Sequence, residues 1–114
     1  MAAIAFGDEQ AAEIVALLGG EALSAPTLFE LEVTNATLTR CRRAPSKAEG
    51  FVTGLGHVLG MPIALHPVDP LAVLALAFDT GLTAYDAAYL WLSHELNVPL
   101  VTLDKKLAAA ARRL

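Results

Sequence analysis

The sequence predicts an α/β domain with a parallel β-sheet. Short apolar runs bounded by proline or glycine alternate with longer segments in which apolar residues recur at helical spacing. Buried strands that alternate with helices are typical of parallel sheets. The length of 114 residues corresponds to one domain, which can bury enough surface to fold without a disulfide or a structural metal.

The composition excludes several protein classes. With 55% hydrophobic and 18% charged residues, the chain is too apolar to be disordered. The single cysteine, Cys41, excludes a disulfide framework. The uncharged stretch 50–68 is interrupted by glycines and prolines, so it does not predict a membrane span, and the N-terminus lacks the basic segment of a signal peptide. We therefore expect a cytoplasmic protein.

The first half of the chain contains three predicted helices and one short predicted strand. Asp8 and Gly19-Gly20 mark the start and the end of the first helix. Capping-box spacing, a hydroxyl residue followed three positions later by Glu, marks the starts of the other two helices, at Thr27 and at Ser46. The predicted elements are a helix over 11–18, a strand over 22–25 and helices over 27–43 and 46–60.

The second half predicts two buried strands and three helices. The run 71–78 is apolar all round, which favours a buried helix that begins at Pro70 and stops at Gly81. Thr83 is the predicted cap of the next helix. The elements are strands over 62–68 and 98–103 and helices over 70–80, 83–96 and 104–114. Only three strands are found, and the chain opens in a helix-like run.

Three acidic residues lie where ligands bind in parallel sheets, after strands and at helix starts: Glu32, Asp86 and Asp104. Each also has a purely structural interpretation. Asp104 can act as an N-cap, and Asp86 can close a capping box with Thr83. Glu32 shares a helix face with Asn35, so it can belong to a solvated polar stripe.

Taken together, the three acids predict a metal site. Carboxylates gathered at one end of a sheet repel one another unless a cation lies between them. Ligation by oxygen alone favours Mg²⁺ or Mn²⁺ over zinc. Metal ions held in this way support hydrolysis of phosphodiesters.

Three segments resemble motifs of PIN-domain ribonucleases, most of all the VapC-type toxins of toxin–antitoxin pairs. They are 27–36 (TLFELEVTNA), 81–90 (GLTAYDAAYL) and 99–107 (PLVTLDKKL). Each motif alone is weak, but together they occur in the order and spacing of the family, and the resemblance covers essentially the whole chain.

The resemblance implies a single PIN-like domain over 1–114, a three-layer α/β/α sandwich around a central parallel sheet. It implies a Mg²⁺- or Mn²⁺-dependent endoribonuclease that forms a homodimer and is neutralised by a VapB-type antitoxin. Carried over by position, Glu32, Asp86 and Asp104 match the catalytic, metal-binding acids. Asn35 and Thr102 match polar residues that support these ligands.

The N-terminus departs from the family pattern. The family opens with an apolar strand that ends in Asp, whereas the segment 2–8 resembles the end of the helix that follows this strand. Asp8, Glu9 and Glu13 lie too far along that helix to replace the first catalytic Asp. We therefore expect the N-terminal strand and the first acid to be missing from this chain and encoded upstream of Met1. The alternative is a protein that lacks both.

Lys105 and Lys106 are the basic residues that favour contact with RNA phosphate, because they follow Asp104 in the first turn of a helix, where cations are disfavoured. The helix dipole explains the arginines in last turns, which are Arg40, Arg42, Arg43, Arg112 and Arg113, and Lys47 lies in the loop after the second helix. Tyr85, Tyr89 and Trp91 fall at helical spacing and are interpreted as core or dimer surface.

Two other functions compete with a ribonuclease. The first is a catalytically inactive PIN-like module that binds an antitoxin or another protein without cleaving RNA. The second is a different magnesium-dependent phosphohydrolase, which would need a nucleophilic Asp with another Asp two residues later. The sequence contains no such pair.

Overall fold

A four-stranded parallel sheet organises the part of the chain that the computed structural model describes, residues 2–4, 22–102 and 105–113. The strands are β1 (Ala2–Ile4), β2 (Leu23–Pro26), β3 (Ile63–His66) and β4 (Leu100–Val101), and their order across the sheet is β3-β2-β1-β4. Because all neighbouring pairs are parallel, the carboxyl ends of the strands lie at one edge.

Strand β1 corrects the prediction that the N-terminal strand is missing. It lies between β2 and β4, with Ala2 opposite Leu23 and Ala3 opposite Leu100. Alanine favours helices, and three residues are too short to show a periodic pattern, so pairing with two neighbours decides the structure. The predicted helix 11–18 and the acids Asp8, Glu9 and Glu13 lie outside the described residues.

Two helices follow β2 and form a packed pair. Helix α1 spans Phe29–Arg43, and helix α2 spans Ala48–Leu59 after a 3₁₀ turn at Pro45–Lys47. Helix α2 ends at Gly60, as expected.

The capping boxes predicted for these two helices are wrong. Helix α1 has Leu28 as its N-cap, because the Thr27 N–H instead extends the ladder to the His66 carbonyl. In helix α2 the N-cap is Lys47, since Ser46 is taken up in the preceding 3₁₀ turn.

Strand β3 is shorter and more exposed than predicted. It covers four residues, and the side chains of Ala64 and Leu65 are exposed. The reason is its place at the end of the strand order, where β2 is its one neighbour among the described strands.

Three helices complete the described chain, and two of the predicted end signals, Gly81 and Thr83, agree with the structure. Helix α3 (Pro70–Thr80) begins at Asp69 and ends at Gly81, which has a left-handed backbone with φ 73°. Helix α4 (Ala84–Leu96) begins at Thr83 and ends at Asn97. Helix α5 spans Lys105–Arg113.

Helix α4 lies at the centre of the core. It packs against β1, β2 and β4 and against helices α3 and α5. Its buried residues are Ala87, Ala88, Tyr89, Leu90, Leu92 and Ser93. The core that contains Phe29 and Val33 of α1 also contains Ala87, Ala88, Tyr89 and Leu90, so α1 and α4 are joined through buried side chains.

Helix α3 is not the buried helix that its apolar sequence predicts. Among its residues only Val73 is buried, while Leu71, Leu74 and Phe78 are 78%, 61% and 87% exposed. The helix packs chiefly against α4, so only one side of it is covered.

No single helix within the described ranges is long and apolar enough to cross a membrane. Helices α3 and α4 together have the length and the apolar composition of a membrane span, but they are bent by 108° where they meet.

Candidate active site

Glu32 lies in the first turn of α1, which follows the carboxyl end of β2. The structure brings it into contact with α4: the Tyr89 hydroxyl donates a hydrogen bond to Glu32 Oε1. Tyr89 is fully buried, whereas Glu32 is half-buried. The contact therefore connects a core side chain to a carboxylate at the edge of the sheet.

Asp86 lies on α4 three residues before Tyr89 and is half-buried. Its backbone N–H donates to the Thr83 hydroxyl over 3.1 Å, which confirms Thr83 as the cap of this helix. The cap hydrogen bond uses the backbone N–H of Asp86, so its side chain takes no part in that bond. The structural and the functional interpretations of Asp86 are therefore compatible.

Both acids affect the pKa of the Tyr89 phenol. Its pKa is raised above the ordinary range first by burial, then by the negative charge of Glu32 and the hydrogen bond to it, and finally by the charge of Asp86. Tyr89 contacts Glu32 directly and lies one helical turn after Asp86. Tyr89 therefore stays protonated and remains a donor at the pH values at which proteins work.

The predicted third acid, Asp104, lies outside the described residues. By sequence it stands between Val101, where β4 ends, and Lys105, where α5 begins. In the described ranges no three His, Cys, Asp or Glu side chains form a group that could hold a metal. The structure thus brings two of the three predicted acids together and does not test the third.

The donor chemistry of the described site fits a hard divalent cation. Glu32 and Asp86 offer only carboxylate oxygen, and the neighbouring Tyr89 adds a neutral hydroxyl. Oxygen-only donor sets suit Mg²⁺ and Mn²⁺ better than zinc. The arrangement can therefore contribute two negatively charged ligands from two different helices.

Asn35 and Thr102 both lie in the described part of the chain. Asn35 is exposed on α1, one turn after Glu32, and its backbone carbonyl accepts a hydrogen bond from the Thr39 hydroxyl. Thr102 follows β4 and is half-buried. Their support of the metal ligands stays a prediction.

The two lysines at the start of α5 differ in what they contact. Both are exposed, and Lys106 Nζ donates to the Gly81 carbonyl over 2.8 Å. This bond joins α5 to the turn between α3 and α4, just before Thr83 and Asp86. Contact of Lys105 or Lys106 with RNA phosphate stays a prediction.

Tyr89 is the site residue whose role the sequence analysis missed. Its ring is in the core as predicted, but its hydroxyl reaches Glu32, 57 positions away in sequence. A buried tyrosine needs a partner for its O–H, and Tyr89 lies one helical turn after Asp86. These two signals could have associated it with the acids.

Comparison with known proteins places the chain in a family. No family model matches the sequence. Ribonuclease VapC12, found in two strains of Mycobacterium tuberculosis, is 34% identical to the chain over 98 residues, which cover 85% of this chain and 75% of each relative. The chain belongs to the VapC ribonuclease family. The family resemblance seen in the three sequence motifs is thereby confirmed.

The fold of this VapC-family chain also matches a solved structure. The crystal structure of PAE2754 from Pyrobaculum aerophilum superposes with a TM-score of 0.79 and 26% sequence identity, covering 96% of this chain and 87% of that one. The predicted PIN-like α/β fold with a parallel sheet is confirmed.

Proposed function

We propose that this VapC-family chain is a metal-dependent endoribonuclease and the toxin of a toxin–antitoxin pair. The observation that carries the proposal is the pair Glu32 and Asp86 beside one buried hydroxyl, in a chain related over most of its length to Ribonuclease VapC12. Two acids held together at the carboxyl edge of a parallel sheet are what a phosphodiester hydrolase of this kind requires.

In this proposal Glu32, Asp86 and Asp104 hold Mg²⁺ or Mn²⁺. Strands β2 and β4 are parallel to β1 between them, so the segments that follow them leave from the same edge of the sheet. Glu32 follows β2, and Asp104 follows β4 by sequence. A cation held by these three acids would supply an activated water and stabilisation of the leaving oxygen.

The chain itself supplies ligand charge, orientation and contacts to the substrate. Glu32 and Asp86 contribute negative charge from α1 and α4, and Asn35 and Thr102 hydrogen-bond to the ligand set. Lys105, exposed in the first turn of α5, binds a phosphate of the RNA backbone. Because the net charge is −4, such local contacts rather than overall charge attract the RNA.

The partners of the chain are an RNA substrate in the cytoplasm, a VapB-type antitoxin and a second copy of the chain. A homodimer is supported by the apolar face of α3, where Leu71, Leu74 and Phe78 are exposed.

Light scattering coupled to gel filtration tests the proposed homodimer. Phe78→Lys should yield a monomer, whereas Val52→Lys, at an exposed apolar position of α2, should leave the dimer intact. Equal molar masses for the unchanged chain and both variants would contradict an interface on α3.

An RNA cleavage assay tests the enzymatic proposal. The purified chain should cleave single-stranded RNA with Mn²⁺ or Mg²⁺ and lose this activity in EDTA. Asp86→Asn keeps the shape of the side chain but removes its charge, so cleavage should fall by about a hundredfold or more. Asp79→Asn, at an exposed position on α3, is the matched control and should cleave normally.

Two results would overturn this assignment. Full cleavage by Asp86→Asn would show that this carboxylate holds no required metal. Absence of metal-dependent cleavage by the unchanged chain, with the antitoxin still bound tightly, would instead favour the catalytically inactive module.

A further inference from the structure

We propose that Tyr89 is a positioning residue for the metal site: its buried hydroxyl fixes the carboxylate of Glu32 in the orientation that binds the cation. This inference deepens the proposed function and rests on it. Helix α4 would then determine the placement of two ligands, Asp86 directly and Glu32 through Tyr89.

The geometry gives Tyr89 a firm anchor. Its side chain is fully buried in the core that also contains Phe29 and Val33 of α1, the helix that carries Glu32. The position of the hydroxyl is therefore fixed by packing on both helices. By contrast, Glu32 is half-buried and has a long side chain with several rotatable bonds. A hydrogen bond from a fixed donor selects one of its orientations.

The chemistry of the donor matters as well. A lysine or arginine at this position would orient Glu32 but would also neutralise the charge that the cation needs. The phenol donates without carrying a positive charge, and a carboxylate has about four lone-pair sites on its two oxygens, so Oε1 can accept from Tyr89 while the group binds a cation. Mutation of a residue that holds a metal ligand in this way commonly lowers metal affinity by about 10- to 100-fold.

A purely structural role for Tyr89 is the competing explanation. Replacing it with phenylalanine separates the two, because the ring remains in the core and only the hydroxyl is lost. Tyr85→Phe is the matched control: Tyr85 lies one turn earlier on the same helix, and its side chain is 66% exposed. The free energy of unfolding of each variant, measured with urea in EDTA, reports stability without metal.

The decisive measurement is Mn²⁺ binding by isothermal titration calorimetry, with no RNA present. Tyr89→Phe should raise the Kd for Mn²⁺ by about 10- to 100-fold, while Tyr85→Phe should bind as the unchanged chain does. Glu32→Gln provides the second arm. If Tyr89 acts through Glu32, adding Tyr89→Phe to Glu32→Gln should weaken binding no further.

The possible outcomes separate this inference from the proposed function. An unchanged Mn²⁺ affinity in Tyr89→Phe, with Asp86→Asn binding weakly, would overturn the positioning role and leave the metal site intact. Additive losses in the double variant would also overturn it, because they would show that Tyr89 does not act through Glu32. If the unchanged chain binds no Mn²⁺, the proposed function itself fails, and the inference fails with it.

Discussion

Helices α3 and α4 have similar apolar sequences and different places in the molecule. Helix α4 contacts three strands as well as helices α1, α3 and α5 and buries six residues, whereas α3 packs chiefly against α4 and buries only Val73 among its residues. An apolar run therefore predicts that a helix has partners, but not on how many sides. The difference also has a functional side, because α4 carries Asp86 and Tyr89.

The site residues benefit from the position of α4. A side chain on a helix that is packed on several sides has few ways to move, which is what precise placement of metal ligands requires. Helix α3, with an exposed face, is suited to contacts with another molecule. Helix α4 thus holds site residues in place, and helix α3 presents an exposed apolar surface.

The largest expected contrast between the helices is in the cost of removing a leucine. Leu90→Ala in α4 empties a fully buried position and should lower the free energy of unfolding by about 2–5 kcal/mol. Leu74→Ala in α3 removes an exposed side chain and should change it by less than about 0.5 kcal/mol. Urea unfolding at low protein concentration measures both values.

Similar losses in the two variants would contradict the one-sided packing of α3. A loss in Leu74→Ala that appears only as the protein concentration rises would have a different meaning: it would place α3 in the homodimer interface, because stability gained by association depends on concentration.

The sequence predicted the parts of the molecule that local chemistry determines. The end of α3 at Gly81 and the start of α4 at Thr83 agree with the structure because glycine and threonine act on their own turns. Glu32 and Asp86 were predicted from their positions near helix starts and from the resemblance of their motifs.

Features that depend on distant partners were not predicted. Strand β1 exists because β2 and β4 pair with it, although its alanines favour a helix. The contact between Tyr89 and Glu32 joins residues 57 positions apart. Thr27 does not cap α1, because its backbone N–H bonds to the His66 carbonyl. In each case a tertiary contact outweighed a local preference.

The C-terminal ends of α3 and α4 offer a second, smaller contrast. Both end in a left-handed residue, Gly81 with φ 73° and Asn97 with φ 52°. A β-carbon at Gly81 would meet no atom within 4 Å, so Gly81→Ala costs only backbone strain, about 1–2 kcal/mol. Asn97→Ala should cost less, because Asn97 already carries a β-carbon. Urea unfolding of both variants checks this order, and the reverse order would show that Asn97 contributes more than its backbone conformation.

The N-terminal caps give the smallest effects on stability and the sharpest link to the site. Asp69 Oδ1 accepts from the N–H groups of Leu71 and Ala72, and the Thr83 hydroxyl accepts from that of Asp86. Asp69→Ala and Thr83→Ala should each lower the free energy of unfolding by about 1 kcal/mol. Only Thr83→Ala frees the backbone of a proposed metal ligand, so only this variant should also slow RNA cleavage. Equal cleavage rates in the two variants would show that packing of α4 alone, without its cap, keeps Asp86 in place.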